Sequence, residues 1–294
     1  MIDIISYMNS TYNWDVSQAE IIHTRFDTNT NFRVKYNGEL YFVKLYASKN
    51  PYATEKWFLS TLSQTDCVPK VILDFEGDES NKASIILPYY STYQTLDAES
   101  IRKNDSIAFN IGKELKKVHR GIESAKQFGK IQKKEQFQFW NDYLKSRISQ
   151  IKTLYEKHNI SMIDKIYNEI ESSFSSIPND IHPNIVHGDL NPDNILYDPV
   201  SEKILFIDFE RSYFGHYEMD FPKLFWRCFS FNDSLIKTFY DGYGVKQNQQ
   251  RSELYQNIFF IDLLSYLINI SSPSNEDIKT IHEILDILEN GIHI

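Results

Sequence analysis

The sequence predicts an α+β chain with a small β-rich N-terminal part and a larger, mostly helical C-terminal part. Three observations carry this reading. Before residue 90 lie short runs of β-favouring residues, two of them flanking an Asn37-Gly38 pair. Beyond it, apolar residues recur at helical spacing. One β-rich island, from Ile185 to Phe209, interrupts the helices.

Phe32-Arg33-Val34-Lys35-Tyr36 and Leu40 to Tyr46 are expected to be the arms of a hairpin, because Asn-Gly accepts the positive φ that a two-residue turn requires. Val71 to Phe75 and Ser84 to Leu87 are further expected strands. Asn50-Pro51 reads as an N-cap followed by a first-turn proline, and Phe58, Leu59 and Leu62 give that helix its buried stripe. Ile107, Ile111, Leu115 and Val118 do the same for a helix from Asp105 to His119, with Gly121 as its stop. Two more helices are expected over Ile131 to His158 and Ser161 to Phe174. A terminal one is marked by Ile278, Ile281, Leu285 and Leu288. The expected boundary falls after residue 88, giving a β-rich lobe of residues 1–88 and a helical lobe of residues 89–294.

With 294 residues, 41% of them hydrophobic and 24% charged, the chain has enough apolar material for a folded core. A net charge of −9 argues against a nucleic-acid partner, whose phosphates would be repelled, and is compatible with cationic ligands. Cys67 and Cys228 are too few for a disulfide framework or a zinc site and read as small buried apolar residues. The eight histidines show no metal-ligand spacing. Met1 to Ser6 has an early acid and no basic run, unlike a signal peptide. The apolar stretch Ile258 to Ile270 carries Asp262 and falls short of the ~20 residues of a membrane span. A cytoplasmic protein with no membrane partner is expected; oligomeric state is not legible.

The segment Val186-His187-Gly188-Asp189-Leu190-Asn191-Pro192-Asp193-Asn194 places an acid and an amide on one loop. Ile207-Asp208-Phe209-Glu210 then sets a second acid at the end of a hairpin turned by Asp198-Pro199 and Ser201. Ile195-Leu196 and Leu205-Phe206-Ile207 would anchor both arms in the core and project the polar groups from rigid elements. Phosphoryl transfer needs such a set: hard oxygen ligands for Mg²⁺, which Asp208 and Asn194 offer, and an acid facing the attacking hydroxyl, which Asp189 offers. A lone loop aspartate is more often a cap; the ordered set is harder to dismiss.

These residues resemble the catalytic and metal-binding motifs of the aminoglycoside phosphotransferase and choline kinase superfamily, a branch of the protein-kinase-like fold. The resemblance implies a two-lobed α+β fold with a helical insertion between Tyr90 and Val186. It implies ATP or GTP and Mg²⁺ as cofactors, Asp189 as catalytic base, Asn194 and Asp208 as metal ligands, and structural roles for His187 and Asp220. Kinase-like folds also pair a strand lysine with a helix glutamate. Lys44 lies on the expected strand, and Glu55 shares the apolar stripe of Phe58, Leu59 and Leu62, where an acid needs a cationic partner. The nucleotide-covering loop lacks glycines, the first of the chain being Gly38, but Thr28, Asn31 and backbone amides are expected at the phosphates. Ile85 to Tyr90 occupies the hinge position, with backbone groups near Leu87 to Tyr89 expected at the purine.

Glu210 replaces the glycine of the protein-kinase Asp-Phe-Gly, and no Ala-Pro-Glu follows, so the acceptor is expected to be a small molecule with a hydroxyl. A cationic acceptor such as an amino sugar or choline would suit Glu210, Glu218 and aromatic faces such as Tyr213, Trp140, Tyr217 or Trp226. Roles in antibiotic resistance and in metabolism both stay open. The rival readings are a catalytically retired kinase fold acting as a binding or spore-coat-type structural protein, and a protein kinase.

Overall fold

The computed structural model describes residues 3–16, 18–24, 29–122, 125–131, 136–156, 162–178 and 180–290. In chain order the elements are α1 (Ile4–Tyr12), β1 (Gln18–Thr24), β2 (Thr30–Tyr36), β3 (Glu39–Leu45), α2 (Lys49–Thr61), β4 (Leu73–Phe75), β5 (Ser84–Pro88) and β6 (Gln94–Thr95). They continue with α3 (Ala98–Lys103), α4 (Asp105–His119), α5 (Trp140–Glu156), α6 (Met162–Ser173), β7 (Asn184–Val186), β8 (Ile195–Asp198) and β9 (Lys203–Phe206). Last come β10 (Tyr213–Gly215), α7 (Phe221–Arg227), α8 (Asp233–Tyr243), α9 (Gln249–Ile268) and α10 (Asn275–Asn290). The mixed α+β content agrees with the expected class. No helix among the described residues is long and apolar enough to cross a membrane.

The chain packs as two units. The first holds Met1–Leu96 together with His187–Asp189 and Asp193–Ser212; the second holds Asp97–Val186, Leu190–Pro192 and Tyr213–Ile294.

The first unit is built on an antiparallel sheet of order β1-β2-β3-β5-β4. The Asn37-Gly38 hairpin forms as expected, with both residues at positive φ (51° and 86°). Strand alternation sorts its residues onto two faces. Phe32, Val34, Val43, Leu45 and Ile86 face a core completed by Ile4, Tyr7, Met8, Trp14 and Val16. Asn31, Lys44 and Ile85, paired in register across β2, β3 and β5, lie on the opposite face. Helix α1 was not legible as an element, although Asp3 caps it by accepting from the Ile5 and Ser6 amides, at 3.1 and 3.3 Å. Strand β1 also escaped the pattern: Ile21 and Ile22 are both exposed and a register shift follows Ile21, so no clean alternation shows. Helix α2 begins at Lys49 with Ser48 as N-cap, so the expected cap at Asn50 is corrected by two positions. The β8–β9 hairpin pairs Ile195 with Phe206. It is tied back by the Phe206 amide donating to the Cys67 carbonyl at 2.8 Å. Cys67 and Cys228 are both buried free thiols, as expected.

In the second unit, α4 spans the expected Asp105–His119. The helix expected from Ile131 begins only at Trp140. Ahead of it, Phe128 and Phe137 exchange backbone hydrogen bonds of 2.8 and 3.0 Å, and Gly129 bonds Phe214 of β10. The aromatic run there serves β bridging, not a helix face. Helices α4 and α8 approach so closely that a Cβ on Gly112 would lie 2.3 Å from the Phe239 carbonyl oxygen, and one on Gly242 would lie 2.1 Å from that of Phe109. Buried His119 is satisfied on both ring nitrogens. His119 Nε2 sits 2.9 Å from Asp220 and its Nδ1 2.7 Å from the Tyr243 hydroxyl. Burial, with the positive Arg251 adding to it, lowers the His216 imidazole from 6.5 to about 3.

Two predictions follow from this packing. Gly112→Ala or Gly242→Ala should each destabilise by about 3 kcal/mol, because backbone atoms cannot yield as a side chain can; urea denaturation reads this directly. His216 stays neutral in the native state while the unfolded chain binds a proton below about 6.5. Stability is therefore full above that pH and is lost as pH falls toward 3. Melting temperature should decline through this window, and His216→Gln should flatten the decline.

Candidate active site

The site grows from the face of the sheet opposite the α1 core. Strand β3 presents Lys44 there, and α2 presents Glu55, both nearly fully buried at 5% and 2% exposure. Lys44 Nζ donates to Glu55 Oε2 at 2.7 Å, and the same oxygen accepts from the Tyr46 hydroxyl at 2.7 Å. From far along the chain, Asp208 Oδ1 arrives 2.7 Å from Lys44 Nζ and Glu210 Oε2 3.2 Å from it. All three carboxylates thus meet one ammonium. Burial alone would drive the lysine neutral, but Glu55, Asp208 and Glu210 outweigh it and push its pKa well above the ordinary value. Lys44 is therefore charged throughout the physiological range.

Asp208 holds a left-handed backbone, φ 69° and ψ 63°, sparsely populated by residues other than glycine. It ends the straight run of β9 and turns the carboxylate toward Lys44. The following turn, Phe209–Arg211, buries Phe209, whose ring centroid lies 4.5 Å from that of His187.

His187 is fully buried and its tautomer follows from its neighbours. Nε2 donates to the Ile207 carbonyl at 2.9 Å, leaving Nδ1 to accept the Asp189 amide at 3.3 Å. One neutral imidazole thereby ties the Asp189 backbone to the residue preceding Asp208. Asn194 adds a second tie: its Nδ2 donates to the Asp189 carbonyl at 2.8 Å, and its own carbonyl accepts from the Ile207 amide at 3.1 Å. With its nitrogen so engaged, the Asn194 amide turns its oxygen the other way. The structure thus brings Lys44, Glu55, Asp189, Asn194, Asp208, Glu210 and His187 into a single unit.

Other expected residues fall differently. Thr28 lies outside the described residues. Asn31 faces Lys44 across the β2–β3 register, and its buried Oδ1 has no hydrogen-bond partner within the protein. At the hinge, the Leu87 backbone pairs with Phe42, and the Tyr89 amide already donates to the Leu40 carbonyl at 3.1 Å. Alternation along an antiparallel ladder turns the intervening Pro88 carbonyl away from β3. Glu218 is corrected from a substrate-facing role: it is 2% exposed and held bidentate by Arg251, at 2.7 and 2.5 Å. Asp220 is buried against His119. Tyr213 stacks on Tyr143 at 5.9 Å. Trp226 is covered by the Arg227 guanidinium, 3.5 Å from its ring centroid.

Two residues near the site escaped the sequence reading. Arg211 Nε lies 3.8 Å from Asp189 Oδ2, and Asn29 Nδ2 donates to Glu210 Oε2. Neither carries a sequence signal, since each role depends on a partner far away in the chain.

The donor set suits a hard cation. Oxygens of Glu55, Asp208 and Glu210 lie within 4.8 Å of one another. Carboxylate oxygens with no thiolate or imidazole match Mg²⁺ better than zinc.

Glu55 has Lys44 as its cationic partner, whereas Lys44 also meets Asp208 and Glu210, so deleting the lysine strands the buried carboxylate. Lys44→Met should cost about 3–5 kcal/mol of stability. The double variant Lys44→Met/Glu55→Leu should lose less than the sum of its single variants, as read by urea denaturation.

The chain has counterparts among known proteins. The phosphotransferase enzyme family, APH, matches residues 27–255. Among solved structures, the spectinomycin phosphotransferase APH(9)-Ia in complex with ADP and spectinomycin superposes with a TM-score of 0.68, at 16% identity over 97% of this chain and 96% of that one. A thermostable mutant of aminoglycoside phosphotransferase APH(4)-Ia, in ternary complex with AMP-PNP and hygromycin B, gives 0.76 at 12% identity over 99% and 98%. Choline kinase LicA from Streptococcus pneumoniae gives 0.69 at 17% identity over 98% of both chains. No curated protein matches the sequence. At these identities the structures show a shared fold, and the family match covers most of the chain: the protein belongs to the phosphotransferase enzyme family, the small-molecule kinases of this fold.

Proposed function

We propose that this enzyme transfers the γ-phosphoryl group of ATP or GTP, with Mg²⁺, to a hydroxyl of a small cationic molecule. The observation that carries the reading is the convergence of Glu55, Asp208 and Glu210 on the buried Lys44 ammonium. A buried, permanently charged lysine beside hard oxygen ligands is what a polyphosphate–metal complex requires. The neighbours crystallised with ADP or AMP-PNP lend support.

In this reading Lys44 binds the nucleotide phosphates, with Asn31 beside it on the same sheet face. Asp208 and Asn194 would hold the metal, which would supply positive charge to offset that of the phosphates. Asp189 orients the acceptor hydroxyl and takes its proton; the hydroxyl oxygen bonds to the γ-phosphorus while the bond to the bridging oxygen breaks, releasing the nucleoside diphosphate. His187 keeps Asp189 and Asp208 in register through the two hydrogen bonds of one neutral ring.

A cationic acceptor is favoured by the net charge of −9. The spectinomycin, hygromycin B and choline named for the neighbours set the chemical range to be tried.

A nucleotide-consumption screen across aminoglycosides, choline, ethanolamine, homoserine and thio-sugars should identify the acceptor. With it in hand, Asp189→Ala should cut kcat by about 10²–10⁴-fold while nucleotide affinity holds. Asp208→Ala should weaken Mg·ATP binding. Both variants turning over like the wild type would overturn the assignment, and absence of any nucleotide-induced thermal shift would favour a retired kinase fold.

A further inference from the structure

An ammonium has three N–H donors, and those of Lys44 already meet three carboxylates. Two contacts, to Glu55 and Asp208, are 2.7 Å long; the third, to Glu210, is 3.2 Å. A phosphate oxygen reaching Lys44 must replace one of them. Glu210 makes the longest contact and is the one to give way. Displacing a carboxylate from its cation in a partly buried site is costly unless it has somewhere else to bond.

Asn29 offers that alternative. It immediately precedes β2, whose first residue, Thr30, pairs with Leu45. Its Oδ1 accepts the Ala47 backbone amide at 3.1 Å. A backbone N–H can only donate, so this bond fixes which way the side-chain amide points, and Nδ2 is left to donate to Glu210 Oε2. The side chain thus spans from the end of β3 to the turn after Asp208, all within the first unit.

Resting on the kinase reading above, we propose that Asn29 is a positioning residue for nucleotide entry: it retains Glu210 when the incoming phosphates take Lys44 from it. Asn29 acts through Glu210 and touches neither acceptor nor reacting atoms. Without it, Glu210 has Lys44 as its main partner and competes with the nucleotide. The penalty falls on the phosphates alone, because the nucleoside makes no demand on Lys44.

Calorimetric titration of the full chain with Mg·ATP and, separately, with adenosine tests this. Asn29→Ala should weaken Mg·ATP about tenfold, the loss of one hydrogen bond to a charged group, and leave adenosine within about twofold. In the Glu210→Gln background, where the competing charge is gone, adding Asn29→Ala should change Mg·ATP affinity by less than about twofold. Asn29→Asp, which sets a carboxylate against Glu210, should be worse than Asn29→Ala in the native background, and Glu210→Gln should relieve it. Equal loss of Mg·ATP and adenosine would mean a merely structural role and would overturn the inference, as would an Asn29→Ala effect unchanged by Glu210→Gln. Wild-type protein that binds no Mg·ATP would bring down the kinase reading as well; wild-type binding with an unaffected Asn29→Ala variant would sink this inference alone.

Discussion

The ammonium of Lys44 is the one positive charge around which the candidate site is arranged. Glu55 comes from a helix, Asp208 and Glu210 from a turn more than half the chain away, and each approaches the same nitrogen. Three carboxylates this close would repel one another without it. Their shared partner makes the cluster stable and leaves an excess of negative charge suited to a divalent cation. The cation and its anions define one another: neither Lys44 nor Glu55 would tolerate burial alone.

Around this centre the backbone supplies precision. The parity of β2, β3 and β5 sends Lys44 and Asn31 to one face and the aliphatic core to the other, so a single-residue slip in register would bury the lysine against α1. His187 and Asn194 then lock the loop bearing Asp189 to the strand end bearing Asp208, each by a pair of hydrogen bonds. These ties use neutral groups. They hold the acids in place without altering the charge that phosphoryl transfer depends on.

The second unit solves a different problem. Glycines at 112 and 242 let α4 and α8 meet backbone to backbone, and an aromatic cluster including Phe221, Phe225, Phe239 and Tyr243 fills the space around them. Within it, His119 pairs with Asp220 and Arg251 with Glu218. Glu218 shows why charge alone is a poor guide to a binding site: a carboxylate whose partner is an arginine on another helix has no demand left to make on a ligand.

Much of this was legible in one dimension, for physical reasons. The hairpin at Asn37-Gly38 and the helix ending at His119 are written in local conformational preference and periodicity. Glu55 stood out because an acid on an apolar stripe requires a cation, and the Asp189, Asn194 and Asp208 constellation because its members lie close together in sequence. By itself, then, the sequence determined the α+β class, the hairpin and main helices, and the acids and the lysine that gather around one ammonium. Only the tertiary structure decided which of them meet: that Asn29 serves Glu210, that Arg211 approaches Asp189, that Pro88 and not its neighbours turns its carbonyl outward, and that Glu218 belongs to Arg251. A side chain's chemistry is local, but its role depends on partners brought near by folding, and that proximity is a property of the packed chain.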